Sequence, residues 1–239
     1  MTHPHPSFVF AEKPEGDDTL RYERYLGQRG YARVAGLDEA GRGPLAGPVV
    51  AACVVLPPDC DPAPFIDSKR LTARAREHAF TLLHDNGAIV GSGVADVREI
   101  EALNILQATL LAMRRALAAC GQQLASGSPD FLLVDGKQTV PVSLPQLALV
   151  KGESRSASIA AASIVAKVLR DRLMVEAHTL YPQFGFDVHK GYPTRAHREA
   201  IRQYGPCPLH RTTFRGVREY CEHTDKPSPF VIGGEGPGA

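Results

Sequence analysis

The sequence predicts one α/β domain, a mixed sheet flanked by helices, with a basic helical extension at its C-terminal side. Three observations carry that prediction. Two strand-like runs, 32–37 and the valine-rich 49–56, are joined by a stretch of glycines and prolines, as in a hairpin with an elaborate connection. Shorter apolar runs then alternate with segments of helical periodicity, the pattern of a sheet with helices on its faces. Finally, Lys and Arg gather between residues 182 and 221, where helix-forming stretches alternate with loops.

The elements follow in order. Residues 1–16 are proline-rich, polar and aperiodic, and read as a disordered segment. Asp17 or Asp18 caps a short helix with Leu20, Tyr25 and Leu26 on one face, ending near Gly27 or Gly30. Of the two strands that follow, 49–56 is almost continuously apolar, as in a strand covered on both faces. A helix is expected over 72–86 with Thr72 as its cap, then a strand over 88–94. Helices over 96–101 and 104–120 come next, the second with Leu106, Leu110, Met113 and Leu117 at helical spacing. Strands at 131–134 and 148–151 precede a long helix over 156–178, whose first turns are small-faced and suit close packing on the sheet. Within that helix Lys167 and Asp171 stand four residues apart and form a structural ion pair. Helix and basic loop complete a domain spanning 17–221, and residues 222–239 read as a flexible Gly/Pro-rich tail.

Composition narrows the class. A chain of 239 residues can build one sizeable core, and 44% hydrophobic with 22% charged residues is ordinary for a soluble globular protein. No apolar run approaches the roughly 20 residues that span a bilayer, and the N-terminal stretch lacks a signal-peptide core. A cytoplasmic protein without a membrane partner is expected. The five cysteines are scattered and read as reduced thiols, neither a disulfide framework nor a zinc site. Net charge is only +1, yet residues 182–221 hold seven Lys/Arg against three acids, a surplus able to track a phosphate backbone. His189, His197 and His210 in that stretch show no zinc-like spacing and are expected at the surface or on nucleic acid.

The chemistry lies in where carboxylates fall. Asp38 and Glu39 close the first strand, Asp135 ends the fourth, and Glu153 closely follows the fifth, so the backbone delivers all four to one edge of the sheet. Crowded carboxylates repel one another, and hard divalent cations with their preference for oxygen relieve that repulsion. A pair of such ions can activate water against a phosphodiester. Each acid alone also reads as a cap or turn residue, Asp135-Gly136 especially. Gly41-Arg42-Gly43 is not a dinucleotide loop, because Pro44 and Pro48 lead into a strand and not a helix. Its glycines serve either a plain turn or the close approach of backbone to a ligand such as a ribose.

The run from Val34 to Val49, with Gly36-Leu37-Asp38-Glu39-Ala40-Gly41-Arg42-Gly43-Pro44 at its centre, resembles the signature of bacterial ribonuclease HII. Further blocks resemble that family in the same order: Asp67-Ser68-Lys69-Arg70-Leu71, Val134-Asp135-Gly136, the stretch from Ala161 to Asp171, His189-Lys190-Gly191-Tyr192-Pro193-Thr194, and His210-Arg211-Thr212-Thr213-Phe214. The resemblance implies a ribonuclease-H-like fold. It implies hydrolysis of the RNA strand of RNA–DNA hybrids and of single ribonucleotides in duplex DNA, leaving 5′-phosphate and 3′-hydroxyl ends. It implies Asp38, Glu39 and Asp135 as ligands of Mn²⁺ or Mg²⁺, with Glu153 at a place where bacterial members mostly carry Asp and the sister family ribonuclease HIII carries Glu. It assigns Gly41, Arg42 and Gly43 to the 2′-hydroxyl, Tyr192 to the following deoxyribose, and Ser68, Lys69 and Lys190 to phosphates. RNA–DNA hybrids and ribonucleotide-containing duplexes are thus the implied partners of a monomeric enzyme. A catalytically weakened hybrid-binding module is the alternative, kept open by Glu153. Ribonuclease HIII itself carries an additional N-terminal domain, for which the stretch before Asp38 is expected to be too short.

Overall fold

The computed structural model describes residues 18–221, so the expected N-terminal segment and Gly/Pro-rich tail lie outside the described residues, as does Asp17. Helix α1 (Arg21–Gly27) leads into strands β1 (Val34–Ala40) and β2 (Val49–Val55), then helix α2 (Ala73–Asp85) and strand β3 (Ile89–Ala95). Helices α3 (Val97–Leu103) and α4 (Ile105–Gly121) are followed by β4 (Phe131–Asp135), β5 (Gln146–Leu149) and the long α5 (Ala157–Leu180). Two further helices, α6 (Phe186–His189) and α7 (Arg195–Tyr204), precede a C-terminal loop.

The sheet order is β3-β2-β1-β4-β5, with β1 antiparallel to β2, β2 antiparallel to β3, and β1-β4-β5 parallel. Strand β2 is buried along its whole length, which is why it alternates so little in sequence. Ala35, Leu37, Ala51 and Cys53 face α4, while Ala52 and Val54 face the alanine-rich start of α5. Small side chains let α5 lie close on the sheet. A Cβ on Gly36 would sit 2.1 Å from the backbone of Ser158, so only glycine fits where this helix crosses β1.

Local chemistry sets the boundaries. Thr72 caps α2 through its hydroxyl on Ala75 N–H, as expected. Asn104, at φ +72, separates α3 from α4 and caps the second. At the first helix Asp18 accepts the Leu20 N–H at 2.9 Å, and Tyr22 is buried with Leu20 and Leu26 while Tyr25 packs half-buried against the same cluster. The last strand runs two residues earlier than the sequence predicts. Val150 is 52% exposed and Lys151 turns left-handed at φ +55, so the apolar run that forms β5 is Leu147–Leu149 together with Gln146.

Candidate active site

Strand β1 continues past its apolar run, so Asp38 and Glu39 lie within it, opposite Ala52 and Ala51 of β2, and not beyond its end. Consecutive strand residues point to opposite faces. Asp38 shares the α5 face with Gly36, and Glu39 follows Leu37 toward the other side. The register Gly36↔Leu133 and Leu37↔Val134 carries on to bring Asp38 beside Asp135 on the neighbouring parallel strand. Glu153 enters from a short 3₁₀ turn, Gly152–Ser154, and not from the strand itself. Parallel strands thus place carboxylates at their common C-terminal edge.

Each of the four is held by a particular partner. Asp38, 8% exposed, accepts the backbone N–H of Glu39 at 2.7 Å, and Asp135 accepts that of Gly152 at 2.7 Å. Glu39 pairs with Arg42 at 3.2 Å, and Glu153 lies 3.4 Å from the Lys69 ammonium. The second oxygen of Glu153 is buried without an N–H or O–H donor. Among the described residues, no three acidic, histidine or cysteine side chains are arranged to hold a metal ion as they stand. Glu39 and Glu153 are turned toward their cationic neighbours.

Protonation reports the crowding. Burial, reinforced by Glu39 and Asp135, pushes the Asp38 carboxyl well above the ordinary aspartate range. Burial likewise raises Asp135 to about 6, with Glu153 adding to the shift and the Gly152 N–H opposing it. Glu39 is raised by burial, against the pull of Arg42. For Glu153 burial also works upward, but hydrogen bonds from its own backbone and Asp135, with the charge of Lys69, hold it below the usual range. Carboxyls pushed apart in this way are the mark of a site that gathers negative charge for use.

The loop between β1 and β2 is fixed by two buried arginines, which the sequence reading passed over. Arg211 belongs by sequence to the basic surplus able to track a phosphate backbone, but it is fully buried. It donates to the carbonyls of Arg42 at 3.0 Å, Pro44 at 2.8 Å and Gly47 at 2.8 Å, and also to that of Gly41. Arg170, equally buried in α5, donates to Ala46 at 3.1 Å, Pro48 at 3.0 Å and Lys190 at 3.0 Å. Both guanidiniums are held by backbone carbonyls, and burial lowers them to about 10 for Arg170 and about 9 for Arg211. The planar five-donor fork of arginine is what lets one side chain hold so many carbonyls.

Within this loop the two glycines differ. Gly41 has φ +102, and a Cβ there would meet Arg170 at 2.1 Å, so its glycine is explained by the protein itself. Gly43 has an ordinary φ, and a Cβ would find only Tyr192 Cε1 at 3.9 Å, an ordinary contact. Nothing in the fold demands glycine at 43. Tyr192 stands over it, 41% exposed, with the Lys167 ammonium and Arg170 guanidinium each 5.8 Å from its ring. The Lys167–Asp171 pair forms at 2.6 Å.

The remaining expected substrate residues spread around this centre. Lys69 is exposed, whereas Ser68 beneath it is buried, its N–H on Ser163 and its carbonyl on Arg76. Lys190 turns left-handed at φ +52 and directs its ammonium to the Asp187 carbonyl. The histidines correct the sequence reading most. His197 and His210 are 0% and 1% exposed, not at the surface, and their Nε2 atoms lie 3.0 Å apart, with His189 stacked on His197. The loop after α7 folds back so that His210 bridges Ala46, and this long-range return buries them. Only the basic side chains of Arg195, Arg198, Arg202, Arg215 and Arg218 stay exposed in that stretch.

A mixed sheet in this strand order, with acids gathered at its edge beside a glycine loop and an open aromatic, defines a hydrolase of the ribonuclease H class. The solved structures agree on the fold. Ribonuclease H2 from Pyrococcus horikoshii OT3 superposes with a TM-score of 0.63 at 28% identity, over 79% of this chain and 96% of that one. Bst-RNase HIII in complex with Mn²⁺ gives 0.68 at 19% identity, over 81% and 70% respectively, a likeness of fold alone. The ribonuclease HII of Syntrophotalea carbinolica is 56% identical over 84% of this chain and 94% of its own length. Residues 35–217 match the family model described as Ribonuclease HII, and the chain belongs to that family. It is accordingly an endoribonuclease that hydrolyses the RNA strand of RNA–DNA hybrids.

Proposed function

We propose that this edge cuts at ribonucleotides followed by deoxyribose, single ribonucleotides within duplex DNA included, leaving 5′-phosphate and 3′-hydroxyl ends. Asp38, Glu39, Asp135 and Glu153 hold Mn²⁺ or Mg²⁺. The observation that carries this reading is a single juxtaposition. Four clustered carboxylates, of which Asp38 and Asp135 are pushed upward by burial and by their acidic neighbours, adjoin a loop whose Gly43 lacks a side chain for no internal reason, under the open ring of Tyr192. The donor set fits a hard cation: every candidate ligand is a carboxylate, and the buried Glu153 Oε2 lacks a donor. Divalent cations held by these four carboxylates would supply activation of water for attack on phosphorus and stabilisation of the departing 3′-oxygen.

The protein's own groups do the rest. Asp38 and Asp135 are held by the N–H groups of Glu39 and Gly152, while Glu39 and Glu153 rest on Arg42 and Lys69. Those pairs set two cationic side chains beside the carboxylates, where phosphates would come. Lys69, seated on the buried Ser68, takes one phosphate and Lys190 another. The backbone of Gly41, Arg42 and Gly43 approaches the 2′-hydroxyl, and Tyr192 lies on the next sugar, where a second 2′-hydroxyl would collide with its ring. No helix among the described residues is long and apolar enough to cross a membrane. The setting proposed is a cytoplasmic monomer that makes the incision in ribonucleotide excision. Carboxylates at all four positions favour an active enzyme over a catalytically weakened hybrid-binding module.

Two results follow. A DNA duplex carrying one ribonucleotide should be cut with Mn²⁺ or Mg²⁺ and spared in EDTA; cutting without metal, or none with either ion, overturns the mechanism. Gly43→Ala should change unfolding free energy by less than ~0.5 kcal/mol, as at an unstrained surface site, yet raise KM for that duplex on the order of tenfold. An unchanged KM would return Gly43 to a plain turn.

A further inference from the structure

We propose that His210 and His197 form a directional hydrogen-bond relay that fixes the backbone of Tyr192, making His197 a positioning residue for recognition of the sugar after the ribonucleotide. The relay has two ends of fixed chemical sense. At one, the Cys207 backbone N–H, which can only donate, points at His210 Nδ1 from 2.9 Å. At the other, the Tyr192 carbonyl, which can only accept, lies 2.9 Å from His197 Nδ1. Between them the two Nε2 atoms stand 3.0 Å apart.

Only one arrangement of protons on two neutral rings satisfies all three contacts. His210 accepts at Nδ1, so its proton sits on Nε2 and is donated to His197 Nε2. His197 therefore carries its proton on Nδ1 and gives it to Tyr192. Adjacent rings hold opposite tautomers, and each link depends on the one before. Burial supports the neutral state, lowering His197 to about 4 and His210 to about 3. The surroundings immobilise the rings: His189 stacks on His197 at 4.4 Å, Phe184 meets His210 edge-on at 4.7 Å, and Phe186 meets His197 at 5.6 Å. His189 is itself tied at both nitrogens, 2.7 Å from the Phe184 carbonyl and 3.2 Å from Gly191 N–H. The ring nitrogens face one another, the backbone and, at His210 Nδ1, the Cys207 thiol at 3.1 Å, and among the described residues no such group is arranged to hold a metal ion.

Apolar side chains would fill this space among phenylalanines at less desolvation cost. What a polar relay adds is direction, delivered to the residue whose ring projects over Gly43. Apart from His197, the Tyr192 carbonyl takes one further hydrogen bond, from Thr194 N–H at 2.8 Å.

This inference rests on the reading of Tyr192 as the sugar-reading ring, and the test separates the two. An asparagine amide nitrogen can take the place of His Nδ1, and that of glutamine the place of Nε2. His197→Asn therefore keeps the donor to Tyr192, and His197→Gln loses it, in side chains of the same chemistry. The readout is the ratio of cleavage rates on a duplex with one ribonucleotide to those on a uniform RNA–DNA hybrid, because partial unfolding lowers both rates alike. Tyr192→Ala should lower that ratio about tenfold, and His197→Gln by a similar factor, equivalent to one well-placed contact. His197→Asn should stay within about threefold of the parent. An equal ratio in the two His197 variants overturns the relay while Tyr192→Ala still reports on the ring. An unchanged ratio in Tyr192→Ala overturns the reading of the ring and the inference with it. Should the His197 variants not fold, long-range ¹H–¹⁵N spectra of the parent at pH 7 decide: Nδ1–H on His197 with Nε2–H on His210 supports the relay, and identical tautomers or a charged ring overturn it.

Discussion

Asp38→Asn is expected to lower cleavage on the order of 10³-fold or more, comparable to losing a principal transition-state contact, while binding of an RNA–DNA duplex stays within about threefold. The same variant should melt higher than the parent in EDTA at pH 8. The reason lies in the sign of the shifts. Asp135 keeps its proton to about pH 6, above the ordinary aspartate range near 4. Between about pH 4 and 6 the folded state thus binds a proton that the unfolded chain has released, and stability falls as pH rises through that window. Asp38 is shifted in the same direction, by burial first and by its acidic neighbours next. Glu153, held low, acts oppositely, but only below the ordinary glutamate range and hence under this window. Asparagine removes one of the like charges, so the stability gap over the parent should shrink as pH is lowered toward 5. Adding Mn²⁺ or Mg²⁺ should raise the melting temperature of the parent more than that of the variant. Differential scanning fluorimetry across pH, with and without metal, checks each part. Cleavage at the parental rate would remove Asp38 from the ligand set, and a lower melting temperature at pH 8 in EDTA would show that repulsion is not what the site stores.

Arg211→Met should be nearly as damaging by a different route. The guanidinium holds the carbonyls of residues 41, 42, 44 and 47 away from water. Removing it leaves several buried acceptors without donors, each costing about 1–3 kcal/mol, so a loss of at least ~3 kcal/mol in unfolding free energy is expected. Arg211→Lys should rescue little, because an ammonium cannot span carbonyls that a planar fork reaches together. Urea denaturation measures the cost, and residual activity on ribonucleotide-containing duplex measures the disorder left in the loop. Full stability in Arg211→Met would mean that β1 and β2 alone hold the loop in place.

Much of this architecture could be read from the chain. Strand and helix order followed from apolar runs and their periods, and Thr72 announced its helix start through ordinary capping chemistry. The four acids stood out because each follows an apolar run, a local signal. What local pattern could not show was the return of the C-terminal loop across the molecule. Arg211 and His210 read as members of a basic surplus because burial depends on partners more than 160 positions away in sequence, as in the Arg211–Gly47 contact. A signal was present nonetheless. His210-Arg211 and His189-Lys190-Gly191-Tyr192 lie in blocks that resemble the family as strongly as the acids do, and interior supports leave that kind of trace as readily as surface contacts. The two-residue offset of β5 has a plainer cause: Val150 is apolar but faces solvent, and only the left-handed Lys151 reveals that the strand has already ended.

The clasp of Arg211 on the β1–β2 loop also has a consequence for the order of biosynthesis. A ribosome delivers residues 41–47 long before residue 211, so the growing chain displays these loop carbonyls while the guanidinium that holds them is not yet made. The loop therefore takes its full set of donors late in translation. A chain interrupted just before that point carries the β1–β2 loop with Arg170 as its one buried guanidinium and without the second clasp from Arg211.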